Sequence, residues 1–238
     1  MGLLWKRGIK VFEKFEKMTQ LEYKKSTKDW HYDPQAVSRD CQYVGRFIGE
    51  FDDFKSATEQ VVEGHAVDLY PEDAQAPLDE FNLSWGKHLY LSAGYTEHNT
   101  RRHQITSSNK HKFPDFCHKM SAKSGLTNCS IAMIRQRPGQ IVPWHFDTYK
   151  MIRDSKTVAD LRTVKRYLIF LEDWHWGHMV QIGNNVLSNW KKGDIYTWPY
   201  GMYHLSCNAG LEDKWTLQIT GIEKSNSLHN LEEREYVL

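Results

Sequence analysis

Short apolar segments crowd the second half of the chain, and their brevity is what most limits the fold. Seven of them recur, at Cys129–Ile134, Arg166–Glu172, His178–Ile182, Val186–Trp190, Asp194–Trp198, His204–Cys207 and Lys214–Thr220. Gly, Asn and Pro signals separate them, among them Gly183-Asn184-Asn185 and Trp198-Pro199-Tyr200-Gly201. Seven or eight short strands at this spacing predict a closed or two-sheet β architecture. The first half reads differently. Phe12, Phe15 and Met18 fall at helical spacing among Lys and Glu, which predicts an amphipathic helix over 10–18 packed on the outside of the β core. Pro71–Phe81 and Pro114–Ala122 also read as helices, each opening on Pro with acids in the first turn, and Leu89–Leu91 reads as an added strand. One domain over 1–238 is expected, with 1–126 as helical and edge-strand decoration, 127–221 as the β core and 222–238 as a polar tail, helical or loose.

Composition excludes some classes of function. The formal net charge is +1, with 40% hydrophobic and 26% charged residues, which offers no electrostatic argument for nucleic acid or for a membrane surface. Cys41, Cys117, Cys129 and Cys207 are scattered without a Cys-x-x-Cys pair, so free thiols are expected rather than a disulfide framework or a zinc knuckle. Met1–Arg7 lacks the apolar stretch of a signal peptide, and no segment approaches a membrane span. Lys6 stands where a myristoylation signal needs Ser or Thr. A cytoplasmic location is therefore expected.

Chemistry concentrates at three residues. His145 and Asp147 are one residue apart, and His204 lies far downstream. Two imidazoles and a carboxylate are the set that holds non-heme Fe(II) on one face and leaves the opposite positions open. Residues two apart on a strand share a face, so His145 and Asp147 are expected to reach one metal, with the third ligand coming from a neighbouring strand. A second such pair, His31 and Asp33, sits in a polar run ending at Pro34 and reads as a turn.

Lys214 follows His204 by ten residues, and Thr216 and Gln218 share its strand face. A cation beside a hydroxyl suits the distal end of a dicarboxylate, which must be paired and hydrogen-bonded when buried. Together these residues resemble the Fe(II)/2-oxoglutarate-dependent oxygenases, in which His-x-Asp is followed by a distal His and then, about ten residues later, by a basic residue with Ser or Thr two beyond it. The resemblance spans roughly 127–221 and leans toward the aspartyl/asparaginyl and prolyl hydroxylase branch, phage-encoded members included. Arg166–Leu171, Trp190–Asp194 and Asn208-Ala209-Gly210 also carry it.

The resemblance implies a mainly β fold with N-terminal helices around a double-stranded β-helix, the jelly-roll form shared with cupins. It implies Fe(II), 2-oxoglutarate and O2 as cofactor and cosubstrates, and hydroxylation of an amino-acid, peptidyl or small-molecule C–H bond with release of succinate and CO2. If the chain is phage-encoded, the cytoplasm is the host's. Lys214 replaces the usual Arg, a point charge for a planar fork, so Arg166 is a second candidate for the carboxylate contact. Two alternatives stay open. A nucleic-acid demethylase of the alkylation-repair dioxygenase kind would need a basic groove and stacking aromatics, and the near-neutral charge weighs against it. A cupin-like barrel that binds a metal or ligand without oxygen chemistry would have no need for the basic residue after His204.

Several other residues have structural readings. Trp144, Trp174, Trp190, Trp198 and Trp215 read as core, whereas Trp176 lies in the polar loop 173–178 and is a candidate substrate contact. His175 and His178 read as surface or supporting groups rather than ligands. Tyr149, four residues after His145, and Asn208 are candidate pocket residues. The basic run from His98 to Lys112 reads as a solvated loop, or else as a mobile lid that covers the site or grips an acidic substrate.

Overall fold

The computed structural model describes residues 41–49, 51, 54, 55, 59, 62, 66, 67, 94–100, 102–107, 113–147, 149, 152, 158, 160–232 and 234–238. The helices expected over 10–18 and 71–81, the strand at 89–91, the His31/Asp33 pair and the end of the basic run lie outside the described residues. The described part is mainly β with few helices. Its strands are β1 (Gln42–Ile48), β2 (Ala66–Val67), β3 (Arg102–Thr106), β4 (Thr127–Gln136), β5 (Ile141–His145), β6 (Val164–Phe170), β7 (His178–Ile182), β8 (Asn185–Leu187), β9 (Asp194–Thr197), β10 (His204–Asn208), β11 (Lys214–Ile222) and β12 (Glu235–Val237). They form an eight-stranded sheet in the order β12-β1-β9-β6-β11-β4-β3-β2 and a four-stranded sheet in the order β5-β10-β7-β8.

Period-2 alternation gives the large sheet two different faces. Outward, Met133, Tyr167, Ile169, Ile195, Trp215, Leu217 and Ile219 pack with Phe51, Phe54 and Phe116 into the main apolar core. Helix α1 (Asp115–Lys123) covers part of that face by burying Phe116, Cys117 and Met120. Inward, Leu168 and Phe170 meet Val180 and Ile182 of the small sheet, with Trp190 and Trp198, in a second core that closes one end of the space between the sheets. The remaining inward positions, polar or small except for Ile134, line a cavity.

Six of the seven expected strands form within two residues of their expected bounds. The segment expected at 186–190 pairs only over Asn185–Leu187, because Asn189 turns into the left-handed region (φ 57°). Four strands, β1, β2, β3 and β12, went unread. β1 and β12 pair in parallel at the sheet edge, where Tyr236 is buried beside Phe47. The tail is thus neither helical nor loose: it has a 3-10 turn at Leu228–Asn230 and then β12. The basic run contains a helical turn, Glu97–Thr100, followed by β3 hydrogen-bonded to β4, so its middle is neither a solvated loop nor a lid. All four cysteines are free thiols, and no described helix is long and apolar enough to cross a membrane.

Gly193 fastens the edge to the middle of the large sheet: its N–H donates to Phe170 O at 2.7 Å and its carbonyl accepts from Phe47 N at 2.9 Å. Its φ is +86°, and a Cβ there would stand 2.0 Å from Phe47 O. Gly139 has a similar φ of +81° with nothing within 4 Å. Gly139→Ala is therefore expected to cost only the left-handed backbone penalty of about 1–2 kcal/mol, and Gly193→Ala clearly more, since backbone must move. Urea unfolding of the two variants compares them; equal losses would refute the close-approach argument.

Candidate metal centre

β5 and β10 are antiparallel neighbours, and their register sets His145 directly opposite His204. The ring centroids are 4.3 Å apart. Between this pair and the next, Ser206 opposite Val142, β5 advances three residues while β10 advances two. That extra residue is a bulge at Pro143-Trp144, on an edge strand that tolerates the missing proline N–H. Strict alternation from Val142 would turn Trp144 toward the cavity and His145 away. The bulge reverses this, and Val142 and His145 both line the cavity.

Asp147 reaches the same point by another route than the shared strand face expected for it. β5 ends at His145, and Asp147 lies beyond the strand. One ligand atom from each of His145, Asp147 and His204 falls within 4.8 Å of the others, with His204 Nε2 3.4 Å from Asp147 Oδ2. Among the described residues no other cluster of His, Cys, Asp or Glu is so arranged.

The imidazoles are oriented for metal binding. His145 Nδ1 donates to Pro143 O at 2.6 Å and His204 Nδ1 to Met202 O at 3.0 Å, each bonding the carbonyl two residues back. That tautomer makes Nε2 the lone-pair nitrogen on both rings. Burial, reinforced by the neighbouring His204, pushes His145 down to about 3, and burial likewise lowers His204. Burial alone would raise the Asp147 carboxyl, but the Arg166 guanidinium and the two imidazoles outweigh it and hold the group down to about 2. At neutral pH the set is two neutral imidazoles and a carboxylate. Asp147 Oδ2 is enclosed and accepts no well-directed hydrogen bond, although Arg166 Nη1 is 2.6 Å away. An enclosed oxygen without a hydrogen bond is costly to leave so, and a cation would satisfy it. The residues fit a divalent metal.

Around the three lies a cavity of about 310 Å³, walled by Arg102, Gln104 and Thr106 of β3, by Arg166 and Leu168 of β6, by Thr216, Gln218 and Thr220 of β11, and by alternate residues of β4. Arg166 also donates from Nε to Thr220 Oγ1 at 2.9 Å and covers the ring of Tyr149 at 5.1 Å. Tyr149 lines the cavity but does not continue the strand. It sits at φ 46°, a conformation a bulky side chain rarely adopts, and holds its ring beneath the guanidinium.

Of the other expected site residues only Thr216 lines the cavity, and Lys214, Asn208 and Trp176 do not. Lys214 is fully buried, and its Nζ donates to Ser206 Oγ (2.7 Å), Cys207 O (2.9 Å) and Met179 O (3.0 Å), one layer behind the wall that Ser206 forms. Burial pushes its pKa down to about 7. Thr216 does line the cavity. Asn208 is structural: its amide donates to Gln136 O and Glu212 O and accepts from Gly210 N. Trp176 is 84% exposed and away from the cavity, while Trp190, Trp198 and Trp215 are core. His175 is exposed, and His178 is buried with Nε2 bonded to Glu212 O, neither near the three ligands. Arg102 and Ser206 are among the cavity residues that sequence reasoning missed; for Arg102 the signal lay in its strand. Alternation within Arg102-His103-Gln104-Ile105-Thr106, with Ile105 on the buried side, was the available signal.

No family model and no curated protein matches the chain. Among solved structures it is similar to the plu4264 protein from Photorhabdus luminescens (13% identity over 56% of this chain and 82% of that one, TM-score 0.32) and to a predicted oxalate decarboxylase from Thermotoga maritima (15%, 52% and 82%, TM-score 0.32). It is also similar to the Schizosaccharomyces pombe Cnp3 cupin domain (12%, 41% and 58%, TM-score 0.30). Superpositions at these scores carry no argument about this chain.

Two measurements check the centre. Mn(II) at a hundredfold excess over its Kd is expected to stabilise the protein by about 2.7 kcal/mol, and His204→Ala to abolish the effect; an equal response in the variant would place the metal elsewhere. The second concerns the metal-free protein. Below about pH 6.5 the unfolded chain protonates imidazoles that the folded state keeps neutral, His145 until about pH 3. The unfolded state then binds more protons, so stability falls as pH drops through that window. Urea midpoints that stay constant from pH 7 to pH 4 would contradict the neutral assignment.

Proposed function

We propose that this protein is an Fe(II)- and 2-oxoglutarate-dependent dioxygenase, hydroxylating a C–H bond of an amino acid, a peptidyl residue or another small molecule with release of succinate and CO2. The observation that carries this reading is the convergence of His145, Asp147 and His204, both histidines presenting Nε2, on one side of a cavity between the sheets. Strand topology supports it. The eight successive strands β4 to β11 distribute as β9-β6-β11-β4 against β5-β10-β7-β8, which is consistent with a double-stranded β-helix.

His145, Asp147 and His204 would hold the iron, which when bound supplies the redox chemistry with oxygen. The protein's residues do the rest. Ile134, Val142, Leu168, Val180 and Trp198 give the cavity apolar walls that exclude water. Ser206 lies two residues along β10 from His204, roughly 6.8 Å at the strand rise, a span matching a five-carbon diacid chelated at its other end. The distal carboxylate would then meet Ser206, Thr216 and the Lys214 ammonium behind them. Lys214 reaches it by giving up one carbonyl acceptor, and the anion raises the lysine pKa from its depressed value. Arg166 touches Asp147 at the metal end, which suits it less to the distal carboxylate.

The saturation of Lys214 by three protein acceptors also favours a second reading, a cupin-like barrel that binds a metal without 2-oxoglutarate. One experiment separates them. Anaerobic addition of 2-oxoglutarate to the Fe(II)-loaded protein is expected to produce the weak visible charge-transfer band of a keto-acid chelate, and Lys214→Ala to raise the 2-oxoglutarate Kd at least tenfold, more than Arg166→Ala does. Metal binding without any band would favour the second reading, and the reverse ranking would move the distal anchor to Arg166.

A further inference from the structure

The cavity carries more positive charge than the metal centre uses. Its lining contributes two guanidiniums, Arg102 and Arg166, and one carboxylate, Asp147. Arg166 is engaged by Asp147, Thr220 and the Tyr149 ring. Arg102 is not so committed. Its Nε donates to Gln104 Oε1 at 2.8 Å, and the rest of its fork has neither a carboxylate nor another partner among the described residues. The group is half-buried on β3 and lines the same cavity, near enough that its charge acts on Asp147, Arg166 and His145.

A half-buried guanidinium with no carboxylate bonded to it among the described residues is open to one, and a planar fork is shaped to take it through two parallel hydrogen bonds. The charge count says whose carboxylate. Two positive guanidiniums against one negative Asp147 leave a surplus of one positive charge, to which Lys214 adds when protonated. A divalent metal and a doubly charged 2-oxoacid cancel each other, so the surplus survives loading and falls to the remaining ligand. Volume narrows that ligand further. About 310 Å³ lies at the small end for ligand pockets, and the metal and a five-carbon diacid occupy part of it.

We propose that Arg102, with Arg166 beside it, forms a carboxylate-binding subsite for the primary substrate, and that this substrate is a small carboxylic acid, free amino acids included, rather than an internal segment of a protein chain. The inference rests on the dioxygenase reading for the word substrate, but the subsite itself rests on the cavity's own charges.

The test uses the full chain loaded under argon with Fe(II) and 2-oxoglutarate. Propionate, glycolate and the free L-amino acids are titrated in, each beside its carboxamide, and melting temperature and the charge-transfer band are followed. At least one acid is expected to bind at least tenfold tighter than its amide. Arg102→Gln should erase that preference and Arg102→Lys restore part of it, with the Kd for 2-oxoglutarate unchanged within twofold. Acids and amides binding alike, no acid binding at all, or a preference that persists in Arg102→Gln would each overturn the proposal. A tenfold weaker Kd for 2-oxoglutarate in Arg102→Gln would overturn it too, by assigning the guanidinium to the cosubstrate. If no band forms, the dioxygenase reading fails separately, and the same acid and amide titrations on the Mn(II)-loaded protein still decide the subsite.

Discussion

The pairing of β5 with β10, bulge included, is the constraint on which the site depends. An antiparallel register can oppose two histidines, but it cannot by itself turn both toward the same cavity. Val142 and His145 face inward although they are three positions apart, while Ser206 and His204 do so two apart. Only an extra residue on β5 reconciles the two counts. Pro143 occupies that irregularity, and its carbonyl also accepts from His145 Nδ1. One local distortion thus aims the ring and selects its tautomer. Met202 repeats the device for His204 just before β10. The ligand geometry is therefore set by backbone carbonyls two residues upstream rather than by a carboxylate partner, while burial keeps both imidazoles neutral and Asp147 remains the ionised ligand.

Much of this was legible because chemistry and pattern coincide in the C-terminal half. Apolar runs there end on Gly, Asn or Pro, and the strands formed close to where those signals put them. The three ligands were legible from residue type and from the need for a neighbouring strand. What failed was period 2 applied across residues 145–147. That period requires a continuing strand, whereas β5 stops at His145. Pro143 hinted at an irregularity, yet a bulge is defined by its partner strand, and one sequence does not contain the pairing.

The strands that went unread share a physical cause. β3 alternates polar with polar or apolar, because its inward face lines a hydrophilic cavity: Arg102, Gln104 and Thr106 face the site, while His103 and Ile105 face the buried side. Hydropathy then reports a basic loop where the sheet has a wall. β1 contains Gly45, whose φ of 149° and absent Cβ let Arg234 and Tyr236 close in, and β12 is three residues of which only Tyr236 is buried. Their burial exists only once the two ends of the described chain pair, which no local window reports.

Lys214 shows how such a cavity can be stable and still receptive. A buried ammonium without acceptors would be untenable, so the fold surrounds it with two carbonyls and a hydroxyl and accepts a pKa lowered to about 7. Neutral acceptors hold an ammonium less strongly than a carboxylate does. An arriving anion would therefore compete well for the same donors, while a neutral molecule would not. Arg102 differs in kind, because a guanidinium stays charged even with its pKa pushed down to about 10, and it cannot relieve its position by losing a proton near neutral pH. The lysine can trade part of its charge with solvent protons near neutral pH, whereas the arginine is always charged and ready to pair with a carboxylate at its own fork. Direct pairing at that fork favours a carboxylate over an amide, and the pairing is strongest where the walls are apolar and water is few.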